Sequence, residues 1–164
     1  MGDGIILIGG RRMRTIWLED DGAAVGIIDQ RFLPFETVFE KISTVEGMAE
    51  AIMDMHLRGA PLIGSAAAYG VYLAAYHAPK MSTAAFEEAV KSGADALIAT
   101  RPTAMNLAWA VGKTLSEMEK VSGIDEKIRA ALKAANQITE QSVAECRRIG
   151  EYGADILEEI ARRK

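Results

Sequence analysis

The spacing of apolar positions changes character along the chain. Over the first forty residues it reads as extended structure. Thr15-Ile16-Trp17-Leu18 is β-prone, Asp20-Asp21-Gly22 is a turn signal, and Val25 to Ile28 is a second apolar run. These features predict a hairpin or small antiparallel meander over about 14–40, with Leu33-Pro34 closing it. Residues 1–13 read equally as an added strand or as disordered chain.

From Ser43 the period is helical. Ser43 and Glu46 have capping-box spacing, and Val45, Met48, Ala49, Ile52 and Met53 share one face of the helix that follows. That helix is expected to stop at Gly59. The next, Leu62 to about His77, is apolar or small on every face, which predicts a central, fully buried helix. Pro79 ends it, and Ser82 caps a third helix to about Ile98. A fourth is expected from Pro102 through Trp109 and Leu115 to about Val121. After Gly123, Asp125 caps a fifth, to about Arg148. Gly150 and Gly153 predict a bend before a last amphipathic stretch carrying Tyr152, Ile156 and Ile160. Arg162-Arg163-Lys164 complements a helix C-terminus. The predicted fold is mainly α, a helical bundle over about 43–164 with a small N-terminal β meander. No internal repeat or linker divides the 164 residues, so one domain is expected.

Composition narrows the function classes. With 49% hydrophobic and 26% charged residues the chain is globular, and a net charge of -4 without a basic run gives no reason to expect nucleic acid. Leu62 to Ala78 is too short and too polar (Ser65, His77, three tyrosines) to span a membrane. A single cysteine and no secretion signal predict a cytoplasmic setting.

Two turns are alike. Arg58-Gly59-Ala60-Pro61 leads into the buried helix, and Arg101-Pro102-Thr103 leads into the Trp109 helix. Proline favours the first helical position, so each arginine is expected at or just before a helix N-terminus, where free N–H groups and the dipole favour an anion. A guanidinium adds a forked donor suited to phosphate, and Gly59 lets the main chain approach it. Each turn by itself reads better as a capping turn with a solvated arginine; it is the occurrence of two in one small domain that brings the anion-binding reading level. The two act together only if both helix starts are neighbours.

Other candidates fall away. Gly112-Lys113-Thr114 lies inside a helix and lacks the first P-loop glycine, and Gly2-Asp3-Gly4 is no dinucleotide fingerprint. His56 and His77 have no partner at metal-ligand spacing, so solvated or edge positions and no metal are expected. Cys146 reads as a small buried hydrophobe or a helix-face thiol, and Asp20-Asp21 as a turn.

At these same residues the chain resembles the methylthioribose-1-phosphate isomerases and the related regulatory subunits of translation initiation factor 2B. The segments are Ile28-Asp29-Gln30-Arg31-Phe32-Leu33-Pro34, Arg58 to Gly64 with Ala66 to Gly70, and Arg101 to Leu107. The third segment, followed by Trp109, is more like the isomerases.

The resemblance implies the family's N-terminal domain, in which Arg58, Gly59, Ala60 and Arg101 bind a phosphosugar. It also implies a Rossmann-like C-terminal domain as partner, with the catalytic Cys in a Cys-Asn-Ala-Gly-type segment and a catalytic Asp further on. Neither pattern occurs in this chain, and Cys146 does not match that Cys. The expected role is substrate positioning in a methionine-salvage aldose-ketose isomerase, without cofactor and without turnover by this chain alone. The alternative is a non-catalytic phospho-ligand module related to the initiation-factor subunits.

Overall fold

The computed structural model describes residues 6–8 and 11–163. It opens with two short antiparallel strands, β1 (Ile6–Ile8) and β2 (Arg11–Met13). A three-stranded antiparallel sheet follows, built from β3 (Ile16–Leu18), β4 (Val25–Asp29) and β5 (Val38–Ile42), with β4 in the middle. The hairpin has the expected turn: the Asp21 carboxylate accepts the Ala23 N–H at 2.9 Å. The meander does not end at Leu33-Pro34, because Val38–Ile42 pairs along β4 from Asp29↔Val38 to Val25↔Ile42. Every residue of β4 is buried, whereas β5 alternates as an edge strand does.

Five helices make the rest: α1 (Val45–Met53), α2 (Ala60–His77), α3 (Thr83–Thr100), α4 (Met105–Glu119) and α5 (Ile124–Arg162). The cap of α1 is Thr44 rather than Ser43, its Oγ1 accepting the Gly47 N–H at 3.1 Å. β5 runs to Ile42 and carries the turn one residue further than the capping-box spacing suggests. Ser82 caps α3 as expected, accepting from the Ala85 N–H at 3.1 Å.

α2 is the axis of the bundle. It is buried without a break from Ile63 to Ala75 and packs against α1, α3, α4 and α5. Its run of Gly, Ala and Ser removes the bulk that would hold neighbours apart. Leu73, Phe86, Leu97, Leu107 and Val111 fill the spaces between helices, and Ile27 and Ile42 join the sheet to the same core. No helix among the described residues is long and apolar enough to cross a membrane.

The expected bend at Gly150 and Gly153 is absent, and α5 is one helix of 39 residues. A helical glycine costs about 1 kcal/mol relative to alanine, which weakens the helix without removing any main-chain hydrogen bond. The i,i+4 ion pairs Arg147–Glu151 and Arg162–Glu158 bracket the glycines. Burial ends at Thr139, and from 144 onward the helix lies outside the core.

Candidate functional site

Arg58 lies in the connection between α1 and α2, the segment 54–59. This connection carries two positive φ angles, 60° at Met55 and 99° at Gly59. A non-glycine residue there costs on the order of 1–2 kcal/mol, so the surroundings must hold Met55 in place. Leu57 does part of this, being fully buried. Gly59 is the N-cap of α2, with no side-chain cap, and Pro61 sits within its first two positions. A Cβ at Gly59 would meet nothing within 4 Å, so it is the φ angle that calls for glycine. The first N–H groups of α2, beginning at Ala60, face this turn with no capping side chain.

Arg101 is placed differently from expectation. It is the C-cap of α3, with extended φ −146° and ψ 79°, and α4 starts only at Met105 after an Ala104 N-cap. Pro102 is therefore not the first helical residue. A residue before proline is driven to extended backbone, which ends α3 at Thr100. The chain then turns back, the Ala104 N–H donating to the Arg101 carbonyl at 2.9 Å, before α4 begins.

The two helix starts are neighbours. A Cβ on Gly64, one turn into α2, would stand 3.2 Å from the carbonyl oxygen of Asn106, the second residue of α4. The Arg58 and Arg101 turns thus feed helices that begin side by side. Neither guanidinium has an ion pair or side-chain hydrogen bond among the described residues. By contrast, Arg14, Arg31, Arg147 and Arg162 are each paired with a carboxylate.

Beside Arg58 lies a cavity of about 300 Å³. Arg14, Thr15, Gln30, Arg58, Gly59 and Ser65 form part of its wall, Ile16, Pro61 and Leu62 an apolar part, and Thr139, Ser142, Val143 and Cys146 of α5 the rest. Cys146 is exposed, so it is a helix-face thiol and not a buried hydrophobe. Arg101 does not line this cavity.

His56 is buried, not solvated: it is 6% exposed, with Nδ1 2.7 Å from Glu40 Oε2. Glu40 lies sixteen residues away on β5, so only the sheet pairing brings the two together. Asp29, also buried, is nearby, and the three residues have ligand atoms within 4.8 Å of one another. Arg31 already occupies Asp29, donating from Nε at 3.0 and 3.1 Å and from Nη2 at 2.6 Å. Those bonds hold the Asp29 carboxyl below its ordinary range against the opposing effect of burial. The cluster ties the sheet to the α1–α2 connection, with the Arg31 guanidinium bound on Asp29 and the His56 ring on Glu40.

The profile of the initiation factor 2 subunit family matches residues 56–162, from the Arg58 connection to the end of α5. The chain belongs to this family. Methylthioribose-1-phosphate isomerase of Rhodospirillum centenum is 42% identical over 156 residues, 95% of this chain and 40% of that protein. Two solved structures superpose on the fold, each over 87% of this chain. Translation initiation factor 2B subunit delta of A. fulgidus gives a TM-score of 0.80 at 35% identity and is covered over 41% of its length. The 5-methylthioribose 1-phosphate isomerase of Pyrococcus horikoshii gives 0.81 at 36% and is covered over 40%. The chain thus spans about two-fifths of the length of the family members it matches.

Proposed function

We propose that this member of the initiation factor 2 subunit family is the substrate-positioning N-terminal domain of a methylthioribose-1-phosphate isomerase-like enzyme. The observation that carries the reading is the pair of unpaired arginines on turns that enter adjacent helices. Arg58, with the free N–H groups at Gly59 and Ala60, holds the phosphate, and Arg101 approaches from the neighbouring turn. A charged hydrogen bond contributes roughly 1.5–3 kcal/mol, so two arginines supply about 3–6 kcal/mol before ordering costs. A millimolar complex corresponds to about 4 kcal/mol, the affinity expected of this half-site.

The reaction class is conversion of an aldose 1-phosphate to a ketose 1-phosphate. The phosphate blocks the anomeric oxygen, so ring opening needs acid–base help before the carbonyl migrates. The residues of this chain bind and orient, which is a large part of rate enhancement. The Cys and Asp that the resemblance implies belong to the partner domain. We expect no nucleic acid, membrane or cofactor to take part, and a cytoplasmic setting.

The surface of α5 supports a partner docked over the site. Ser142, Cys146, Ile149, Gly153, Ile156 and Ile160 follow at alternating steps of four and three residues, one face of the helix. The first two line the Arg58 cavity, and the three isoleucines are 49–71% exposed. A domain covering that stripe also covers the cavity.

The test is complementation. The part of the P. horikoshii isomerase beyond the matched 40% is mixed with this chain, and methylthioribose 1-phosphate is supplied. Turnover that needs both pieces and falls with Arg58→Ala or Arg101→Ala supports the reading. A stable complex without turnover contradicts it. The second reading is a regulatory module without turnover, favoured by the equal likeness to the A. fulgidus subunit.

A further inference from the structure

We propose that Gln30 is the positioning residue of the Arg58 loop, a role that rests on the sugar-phosphate reading above. The connection between α1 and α2 must hold two residues at positive φ, Met55 and Gly59. Helix α1 holds its beginning through the Asp54 and His56 N–H groups, and α2 takes over where Ile63 N–H donates to the Gly59 carbonyl. Between those points two main-chain groups are held from outside, and both go to Gln30. The Gln30 N–H donates to the His56 carbonyl at 2.7 Å. The Arg58 N–H donates to the Gln30 side-chain Oε1 at 3.1 Å.

Gln30 is itself well placed for this. It directly follows β4, the buried central strand of the sheet, so its backbone position is set by the core. The next turn is fixed by Asp29, whose carboxylate accepts the Arg31 N–H at 3.0 Å. On the loop side, the His56 ring is anchored on Glu40. Gln30 therefore transfers the rigidity of the sheet to the one residue of the loop whose side chain meets the anion.

The contact also fixes the carboxamide. With Oε1 taken by the Arg58 N–H, the NH2 group must turn the other way, and it has no protein partner among the described residues. Gln30 shares a cavity wall with Arg58 and Gly59. Losing the side chain should loosen Arg58 and weaken anion binding while leaving the sheet intact, because the bond from the Gln30 N–H to His56 is main-chain.

Two variants separate these effects. Gln30→Met keeps the length and removes both polar ends; Gln30→Glu keeps the acceptor for the Arg58 N–H. Amide hydrogen exchange and NMR titration with inorganic phosphate are measured on each. In Gln30→Met the Arg58 amide should exchange about fivefold faster, the ratio expected for one lost hydrogen bond, and the phosphate Kd should rise by a similar factor. The β4 and β5 amides should keep their protection. In Gln30→Glu the Arg58 amide should stay protected while phosphate binding weakens through charge repulsion.

Wild-type protection and wild-type affinity in Gln30→Met would overturn the proposal. If that variant loses sheet protection too, the Glu variant decides: a protected Arg58 amide supports the clasp and an unprotected one overturns it. A wild-type protein whose amides do not respond to phosphate overturns the anion reading, and the role of Gln30 in it. Exchange at Arg58 distinguishes that outcome from failure of the clasp itself.

Discussion

Gly64 of α2 lies directly against the main chain of Asn106 in α4, so close that a Cβ there would be 3.2 Å from the Asn106 carbonyl oxygen. This contact puts the two helix starts side by side, the arrangement that the proposed shared anion site requires. Gly64→Ala should therefore separate them. A helical alanine gains up to about 1 kcal/mol over glycine, but overpacking against a main chain costs roughly 1–3 kcal/mol. We expect net destabilisation of about 1 kcal/mol in urea unfolding. Gly112→Ala in α4 is the control: a helical glycine with nothing within 4 Å of the added Cβ, and an expected gain of about 0.5–1 kcal/mol.

Gly59→Ala tests conformation without crowding. Space is open around Gly59, but its φ of 99° with ψ 132° is costly for any L side chain. A loss on the order of 1–3 kcal/mol is expected, read as a lower urea midpoint. Phosphate-induced shifts at Ala60 should be lost in the same variant, because the first N–H groups of α2 no longer face the turn.

Asp29 predicts an acid limb. Its folded carboxyl lies below the ordinary range, chiefly through its hydrogen bonds to Arg31, so the unfolded chain binds protons more readily. The stabilisation is fully present above the unfolded value near 4 and is lost as pH falls through the folded value. Stability measured from pH 6 down to pH 2 should fall in this window. Asp29→Asn should cost roughly 2 kcal/mol at pH 6 and flatten that part of the profile.

Much of this was legible in the sequence, for local reasons. The all-apolar stretch after Pro61 is the buried axis, Ser82 is a cap, and the turn at Asp21 closes a hairpin. Several features were not legible. β5 is an edge strand whose pattern is weak until it pairs with β4. Arg101 belongs to the end of α3, since the extended bias before Pro102 outweighs the preference of proline for a first helical turn. His56 gains its partner Glu40 only through that pairing. Gly150 and Gly153 suggest a bend, yet glycine lowers helix propensity without interrupting the main-chain ladder, and α5 runs through both. In the site, the likeness of the two arginine turns was visible in the sequence; their adjacency was not, because it depends on Gly64 and Asn106.

The exposed half of α5 should behave unlike the rest of the helix. Residues 131–139 include the buried Ala131, Ala135 and Ile138, whereas Ile149, Ile156 and Leu157 are more than half exposed. Amides from 144 to 162 should exchange well before those of 131–139. Ile156→Asp should change the unfolding free energy from urea titration by less than about 0.5 kcal/mol, as surface changes do. It should nevertheless abolish association with the complementing domain in gel filtration.

The central claim is that Arg58 and Arg101 serve one anion. An NMR titration of the wild-type chain with inorganic phosphate tests it most directly. The amides of Gly59, Ala60 and Thr103 should shift together and fit a single Kd on the order of millimolar. Arg58→Ala should remove the response at Thr103 as well as at Ala60. Shifts at only one of the two turns, or separate affinities at each, would contradict the account.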